Sequence, residues 1–340
     1  MNFKSIYLII LLSALIIPYI PQNIYFFPHR NTTGATIGSS LYVNPYLYYT
    51  SPPAPAGIAS FGLYNYSGKV TPYVITTNEM LGYANITSLL AYYKKALRYG
   101  VNPYSATLQF NIVLSVNTSN GVYAYWLQDV GQFQTNKNSL TFIDNVWNLT
   151  GSLSTLSSSA ITGNGQVASA GGGQTFYYDV GPSYTYSFPL SYIYIINMSY
   201  TSNAVYIWIG YEITQIGHTK YATVNYYDKI TIKQANIISA SLMINGNTYT
   251  PDGLYYDAEL VWGGGGNGAP TSFNSLNCTL GLYYISNGKI TPIPSLYTFG
   301  SNTAEAAYNV HTTLNNGVPT AYKGIEDLVI LTNNFSVILI

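Results

Sequence analysis

The chain has 340 residues and a formal net charge of zero, and charged side chains make up only 7% of it, against about 25% in an average soluble protein. The basic residues are scattered apart from Lys94, Lys95 and Arg98, so there is no stripe to neutralise phosphates and nucleic acid is not an expected partner. A single cysteine, Cys278, excludes an internal disulfide and reads as a small buried hydrophobe.

The length suffices for one large or two ordinary domains. With 37 tyrosines and only twelve acids, the surface must be wetted by hydroxyls and amides rather than by ions. A fold that leans on few carboxylates loses little when they protonate, which suits an acidic medium.

Met1 to Lys4 is a short basic start, and Ile6 to Ile20 is an apolar run. The pair reads as a secretory signal, and the run is short of the roughly 20 residues that a membrane helix needs. Residues 1–27 are the expected signal peptide, with an uncleaved anchor as the alternative, and the protein is expected outside the cell. Eight Asn-x-Ser/Thr sites, at Asn31, Asn65, Asn85, Asn117, Asn148, Asn197, Asn277 and Asn334, make N-glycans an expected modification.

A first strand is expected over Ile58 to Tyr64. Asn85 to Arg98 has a helical pattern, with Ile86, Leu89, Leu90, Tyr93 and Leu97 on one face and Gly100 to stop it. Thr107 to Val116 alternates as a strand, Leu108, Phe110, Ile112, Leu114 and Val116 pointing inward and Gln109, Asn111, Val113 and Ser115 outward. Val122 to Phe133 and Leu140 to Trp147 form two more strands around the polar turn Gln134 to Ser139.

Gly151 to Gln174 is rich in Ser and Gly without a hydrophobic period and reads as a long loop or a hinge. A phosphate cradle at Gly171 to Gly173 is unsupported, because no Gly-Lys-Ser/Thr follows. Short strands near Thr175 to Asp179, Tyr184 to Tyr200, Ala204 to Ile213, Thr219 to Ile232, Ile237 to Ile244, Gly253 to Trp262, Leu280 to Ile285 and Leu328 to Ile340 complete the pattern. The fold class is all-β, an antiparallel sandwich or jelly roll in one unit or two lobes, with at most one or two short helices.

Five segments, in order, carry a resemblance. They are Pro53-Ala-Pro-Ala-Gly-Ile-Ala59, Tyr125-Trp-Leu-Gln-Asp-Val130, Phe142-Ile-Asp-Asn-Val-Trp-Asn148, Ala258-Glu-Leu-Val-Trp-Gly-Gly264 and Thr298-Phe-Gly-Ser-Asn-Thr-Ala-Glu305. Together they resemble the thermopsin family of secreted archaeal acid endopeptidases, from about Pro45 to the end of the chain. The resemblance implies a leader over 28–44 and a catalytic region over 45–340, with polypeptides as substrates. The run Asn302-Thr-Ala-Glu305 departs from the Asp-Thr-Gly-Glu type expected there, which bears on whether this member is active.

The chemistry can be narrowed by residue type. His29, His218 and His311 are dispersed and none has a partner at metal-ligand spacing, so neither a zinc site nor a cofactor is expected. A serine triad lacks its base, since His218 sits in the turn Gly217-His-Thr, and Cys278 as a nucleophile lacks one too. Carboxyl and amide chemistry remains: one ionised group activates water while a protonated or neutral group polarises the carbonyl.

Asp144, between Phe142 and Val146, and Asp228, on a face with Val224, Tyr226, Ile230 and Ile232, are acids on apolar faces. Glu259 shares its side with Asp257, and Glu305 follows a turn. Gln128 shares a face with Val122, Ala124, Trp126 and Val130. The candidate catalytic residues are therefore Glu259, Glu305, Asp144, Gln128 and Asp228, and the resemblance favours the first four. Trp126, Trp262 and Gly264 are candidate substrate contacts, the glycine run Gly263 to Gly268 letting a substrate backbone approach. Aromatic residues around a cleft predict a preference for large apolar side chains near the cut. Glu212 is expected to face a lysine across the strands. The alternative reading is a non-catalytic secreted β-sandwich that binds glycans through an aromatic platform.

Overall fold

The computed structural model describes residues 55–60, 62–66, 69–151, 153–245, 258–294, 297–299, 305–315, 318–324, 329–331 and 337–339. The signal peptide, the leader, Asp257 and Asn302 lie outside them.

In chain order the principal strands are Ala56–Ser60 (β1), Glu79–Ala91 (β2), Ser105–Thr118 (β3), Gly121–Gln134 (β4), Ser139–Asn148 (β5), Gln166–Gly171 (β6) and Gln174–Thr185 (β7). They continue with Leu190–Tyr200 (β8), Ala204–Ile216 (β9), Thr219–Lys233 (β10), Ile237–Ile244 (β11), Ala258–Gly263 (β12), Thr271–Ser286 (β13) and Val318–Lys323 (β14). One antiparallel sheet runs β6-β7-β5-β4-β3-β12-β1, with β11 also paired to β3; the second runs β14-β13-β2-β8-β9-β10. The all-β sandwich expected from the strand pattern is the observed architecture.

The two sheets bury one core between them. From the first come Leu108, Phe110, Ile112 and Leu114 of β3 and Phe142 of β5; from the second come Tyr192 and Tyr194 of β8, Ile209 and Tyr211 of β9, and Ile230 of β10. Alternation puts these apolar residues on the facing surfaces. Tyrosine can serve here because its hydroxyl finds partners. Tyr194 donates to the Leu108 carbonyl at 2.7 Å and accepts from the Gly131 amide at 2.8 Å, tying the sheets together. Phe142 stacks on Tyr211 with centroids 3.8 Å apart and meets Tyr192 and Tyr194 edge-on. Gly82 leaves room for the Phe110 ring, which a Cβ there would meet at 3.0 Å.

The helix expected over Asn85 to Arg98 is a correction. Residues up to Ala91 belong to β2, and only Lys94–Tyr99 turns, as a 3-10 helix closed by Gly100 at φ 73°. The cause is a bulge: Ser88 pairs with Asn277 and Ile86 with Cys278, so Thr87 is an extra residue in the ladder. An inserted residue stretches the buried spacing from two to three between Ile86 and Leu89, which imitates helical period. Leu97 is 60% exposed, so no single apolar face exists.

Three smaller expectations also change. The strand over Ile58 to Tyr64 breaks at Gly62, φ 62°, into β1 and Leu63–Tyr66. Gln109, Asn111 and Val113, expected outward, are as buried as their inward neighbours. Glu212 faces Ile193 and Val224 across the ladders rather than a lysine.

The Ser/Gly-rich stretch after Gly151 holds β6 and the short strand Ile161–Thr162, which pairs with β10. Its three consecutive glycines turn β6 into β7 at φ 82°, 58° and 82°, a left-handed path that only glycine follows cheaply. Pairing β6-β7-β5-β4-β3-β12 brings every candidate acid except Asp228 and Glu305 onto one sheet.

Candidate active site

Gln128 and Asp129 are consecutive in β4, so their side chains leave the sheet on opposite faces. Each is the centre of a separate buried polar cluster, and both are 0% exposed.

On the outer face, β3 contributes Gln109 and Asn111, β4 contributes Gln128, β5 contributes Trp147 and β12 contributes Glu259. Register enforces this row: Asn111 is paired on one side with Gln128 and on the other with Glu259. The hydrogen bonds run in one direction. Trp147 Nε1 donates to Gln128 Oε1 at 3.1 Å, Gln128 Nε2 donates to Asn111 Oδ1 at 3.0 Å, and Asn111 Nδ2 donates to Glu259 Oε1 at 2.8 Å. A second branch joins it, Gln109 Nε2 donating to Glu305 Oε2 at 2.7 Å and to Thr107 Oγ1 at 3.0 Å. Gln109 Oε1 in turn accepts from Asn111 and Gln128 at 3.4 and 3.5 Å.

Glu305 reaches this row because Gly263 lets its segment lie flat. A Cβ at Gly263 would sit 2.7 Å from the Glu305 carbonyl and 3.3 Å from Gln109 Nε2. Burial pushes the Glu305 carboxyl up to about 8, against the lowering influence of Gln109 and the Gly268 backbone. It therefore holds its proton through acid and neutral pH.

The inner face carries aspartates. Asp129 of β4 is paired with Asp144 of β5, and Asp144 with Asp179 of β7. Asp228 comes from β10 of the opposite sheet, and one oxygen from each of Asp144, Asp179 and Asp228 lies within 4.8 Å of the others. Asp228 accepts from Tyr177 Oη at 2.5 Å and from the Asn164 amide at 2.8 Å, and Asp129 accepts from Tyr227 Oη at 2.9 Å. Among the described residues no side chain donates a hydrogen bond to either Asp144 oxygen. Burial, then the charges of Asp228, Asp179 and Asp129, hold its carboxyl well above the ordinary carboxylate range; the Asp179 backbone offsets only part of this. Burial raises Asp129 likewise, against the lowering influence of Tyr227.

The predicted residues thus divide. Glu259, Glu305 and Gln128 come together on the outer face, and Asp144 and Asp228 on the inner. Asp228 does not share a face with Val224 and Tyr226 as alternation suggested. A bulge at Tyr227, where Asp228 pairs with Ile209 but Tyr226 with Gly210, turns Tyr227 and Asp228 inward and leaves Tyr226 exposed.

Trp126 borders the outer row, opposite Trp147 in the ladder. Trp262 points the other way, buried against Phe133 and Phe273. At Gly264 the chain that approaches closely is its own: a Cβ there would meet the Ala269 carbonyl at 1.6 Å. His218 is exposed and Cys278 is fully buried. Sequence reasoning missed Gln109, Asn111, Asp129, Asp179, Tyr177 and Tyr227. The one available signal was two amides at alternate positions of an otherwise apolar strand.

Fold and site define an all-β protein of two antiparallel sheets whose central sheet carries a buried carboxyl-amide row. The thermopsin family model matches residues 41–310, and a thermopsin from Sulfolobus acidocaldarius is 92% identical over 340 residues, the full length of both chains. The chain belongs to the thermopsin family and is a peptidase. The glycan-binding alternative gives way to this membership.

Proposed function

We propose that this peptidase is a secreted endopeptidase that cuts polypeptides in acid by carboxyl chemistry alone, with Glu259 and Glu305 as its working pair. One observation carries the assignment: Asn111 and Gln109, two residues apart on one face of β3, each donate to one of the two carboxyl groups. That spacing is about 7 Å along a strand, which leaves room for a water and a carbonyl between them.

Glu259 ends a chain of donors, so it is the group that takes a proton from water as the water oxygen attacks the carbonyl carbon. Protonated Glu305 donates to the carbonyl oxygen and stabilises the charge that develops there. The proton held on Glu259 then passes to the departing amine as the C–N bond breaks. Gln128 stands one link back. Its amide hydrogens point to Asn111 and Gln109, so it orients these two, and polarisation of the carbonyl falls to Glu305.

All the side chains of the row are buried, so a peptide reaches them only when this face opens. Water then enters, the burial that raises Glu305 relaxes, and its pKa falls toward ordinary carboxyl values, which confines catalysis to acid. Trp126 and Trp147 beside the row favour large apolar side chains near the cut.

Export rests on the basic start and apolar run of residues 1–20. Glycans would go to Asn117 and Asn277, which are exposed, rather than to Asn85 and Asn197, whose amides bond Ser191 and Glu79.

The test is hydrolysis of a denatured protein from about pH 2 to 7 by the secreted protein and its Glu259→Gln, Glu305→Gln and Asp144→Asn variants. Acid-limited activity that the two glutamate variants lose and Asp144→Asn keeps is the expected result. A folded Glu259→Gln variant that still cuts, beside an inactive folded Asp144→Asn, would transfer the chemistry to the inner cluster.

A further inference from the structure

The inner aspartates do no work in the reaction proposed above, yet four strands converge to place them. β4, β5 and β7 supply Asp129, Asp144 and Asp179 in register, and β10 crosses from the other sheet with Tyr227 and Asp228. Tyr227 is taken up by Asp129, and Tyr177 of β7 by Asp228. Among the described residues no side chain donates to either oxygen of the buried Asp144, and apart from the Asp179 backbone the groups that bear on it are charges of its own sign, those of Asp228, Asp179 and Asp129. A buried carboxyl with like charges around it and no side-chain donor costs several kcal/mol unless something supplies an opposite charge.

We propose that Asp144, Asp179 and Asp228 form a binding site for a calcium-sized divalent cation that clamps β10 of one sheet to β5 and β7 of the other. The three oxygens lie within 4.8 Å of one another. Oxygens around Ca²⁺ stand at about 2.3–2.6 Å from it, so ligands across the ion are up to about 5 Å apart, whereas Mg²⁺ draws them to about 4 Å.

Three carboxylates suit a hard, oxygen-seeking ion and leave the set at one net negative charge. Asp144 brings two uncommitted oxygens. Asp228, although bonded by Tyr177 and the Asn164 amide, keeps a second lone pair on each oxygen. Those two bonds hold it in place, as outer partners do around metal ligands. Asp179 is only half-buried, which gives the ion a way in, and the site lies on the opposite face of the sheet from Glu259.

The experiment uses the full mature protein at neutral pH, with Tb³⁺ as the probe because Tyr177 and Tyr227 can sensitise its emission, and Ca²⁺ as the competitor. The expected result is sensitised Tb³⁺ luminescence that excess Ca²⁺ displaces, with affinity weakened about tenfold or more in Asp144→Asn and in Asp179→Asn. Added Ca²⁺ should also raise the thermal unfolding midpoint of the wild type and not that of Asp144→Asn. Absence of both effects in folded wild-type protein overturns the site. So does equal Tb³⁺ affinity in the variants, which would place the ion elsewhere. Should Asp144→Asn fail to fold, Asp179→Asn, at the half-exposed edge, decides alone.

Discussion

The outer row and the inner cluster are separated by the thickness of one sheet, and they solve the burial of acids in different ways. The outer row mixes two carboxyls with three amides, so that each amide passes a donor toward a carboxyl. The inner cluster sets aspartates beside aspartates, relieved by two tyrosine hydroxyls and one backbone amide. An amide row tunes and orients carboxyls without adding charge, which is what proton transfer needs. A cluster of like charges stores repulsion, which a bound cation can offset. Composition alone does not distinguish the two, since each consists of acids on a strand.

The comparison breaks most sharply on activity. Glu259→Gln should lower kcat by about 10³-fold in a protein whose circular dichroism is unchanged, while Asp144→Asn continues to cut the same substrate. Equal losses from both would mean that the two faces act as one site.

Stability against pH gives the next largest effect. The Glu305 carboxyl, about 8 when folded against an ordinary 4.5, contributes stability that is complete below about pH 4.5. This contribution is lost as pH rises toward about 8, because the folded state binds the extra proton across that window. The loss reaches up to about 5 kcal/mol. Urea unfolding midpoints should therefore fall from acid to neutral pH, and the slope should flatten in Glu305→Gln.

Phe142 lies on the inner face beside the aspartates, stacked on Tyr211. Phe142→Ala should cost about 3–5 kcal/mol through the cavity it leaves, seen as a lowered Tm, and should leave pH dependence alone. The smallest effect is that of Tyr227→Phe. It takes away the hydroxyl that donates to Asp129 and should cost about 1–3 kcal/mol for the buried oxygen left unpaired. A neutral outcome would show that Asp129 finds another donor.

Much of this molecule could be read from residue order. The patterns over Thr107 to Val116, Val122 to Phe133 and Leu140 to Trp147 determined three central strands, the turn between the last two, and which residues share a face, because the side-chain period of a strand is two. They also determined that Asp144 sits among apolar neighbours and that Gln128 lies beside Trp126. The family resemblance rested on five short segments, and four of them map to β1, β4, β5 and β12.

Tertiary pairing decided the rest. A bulge at Thr87 turned an apparent helix into a strand, and another at Tyr227 kept Asp228 inward with Ile230 and Ile232 while turning Val224 and Tyr226 outward. An inserted residue shifts every later side chain by one position, and no local pattern announces it. Only strand order put Glu259 beside Asn111, 148 residues away, and Glu305 beside Gln109, 196 away. Which acids meet depends on which strands are neighbours, and that is settled by the core the two sheets bury together.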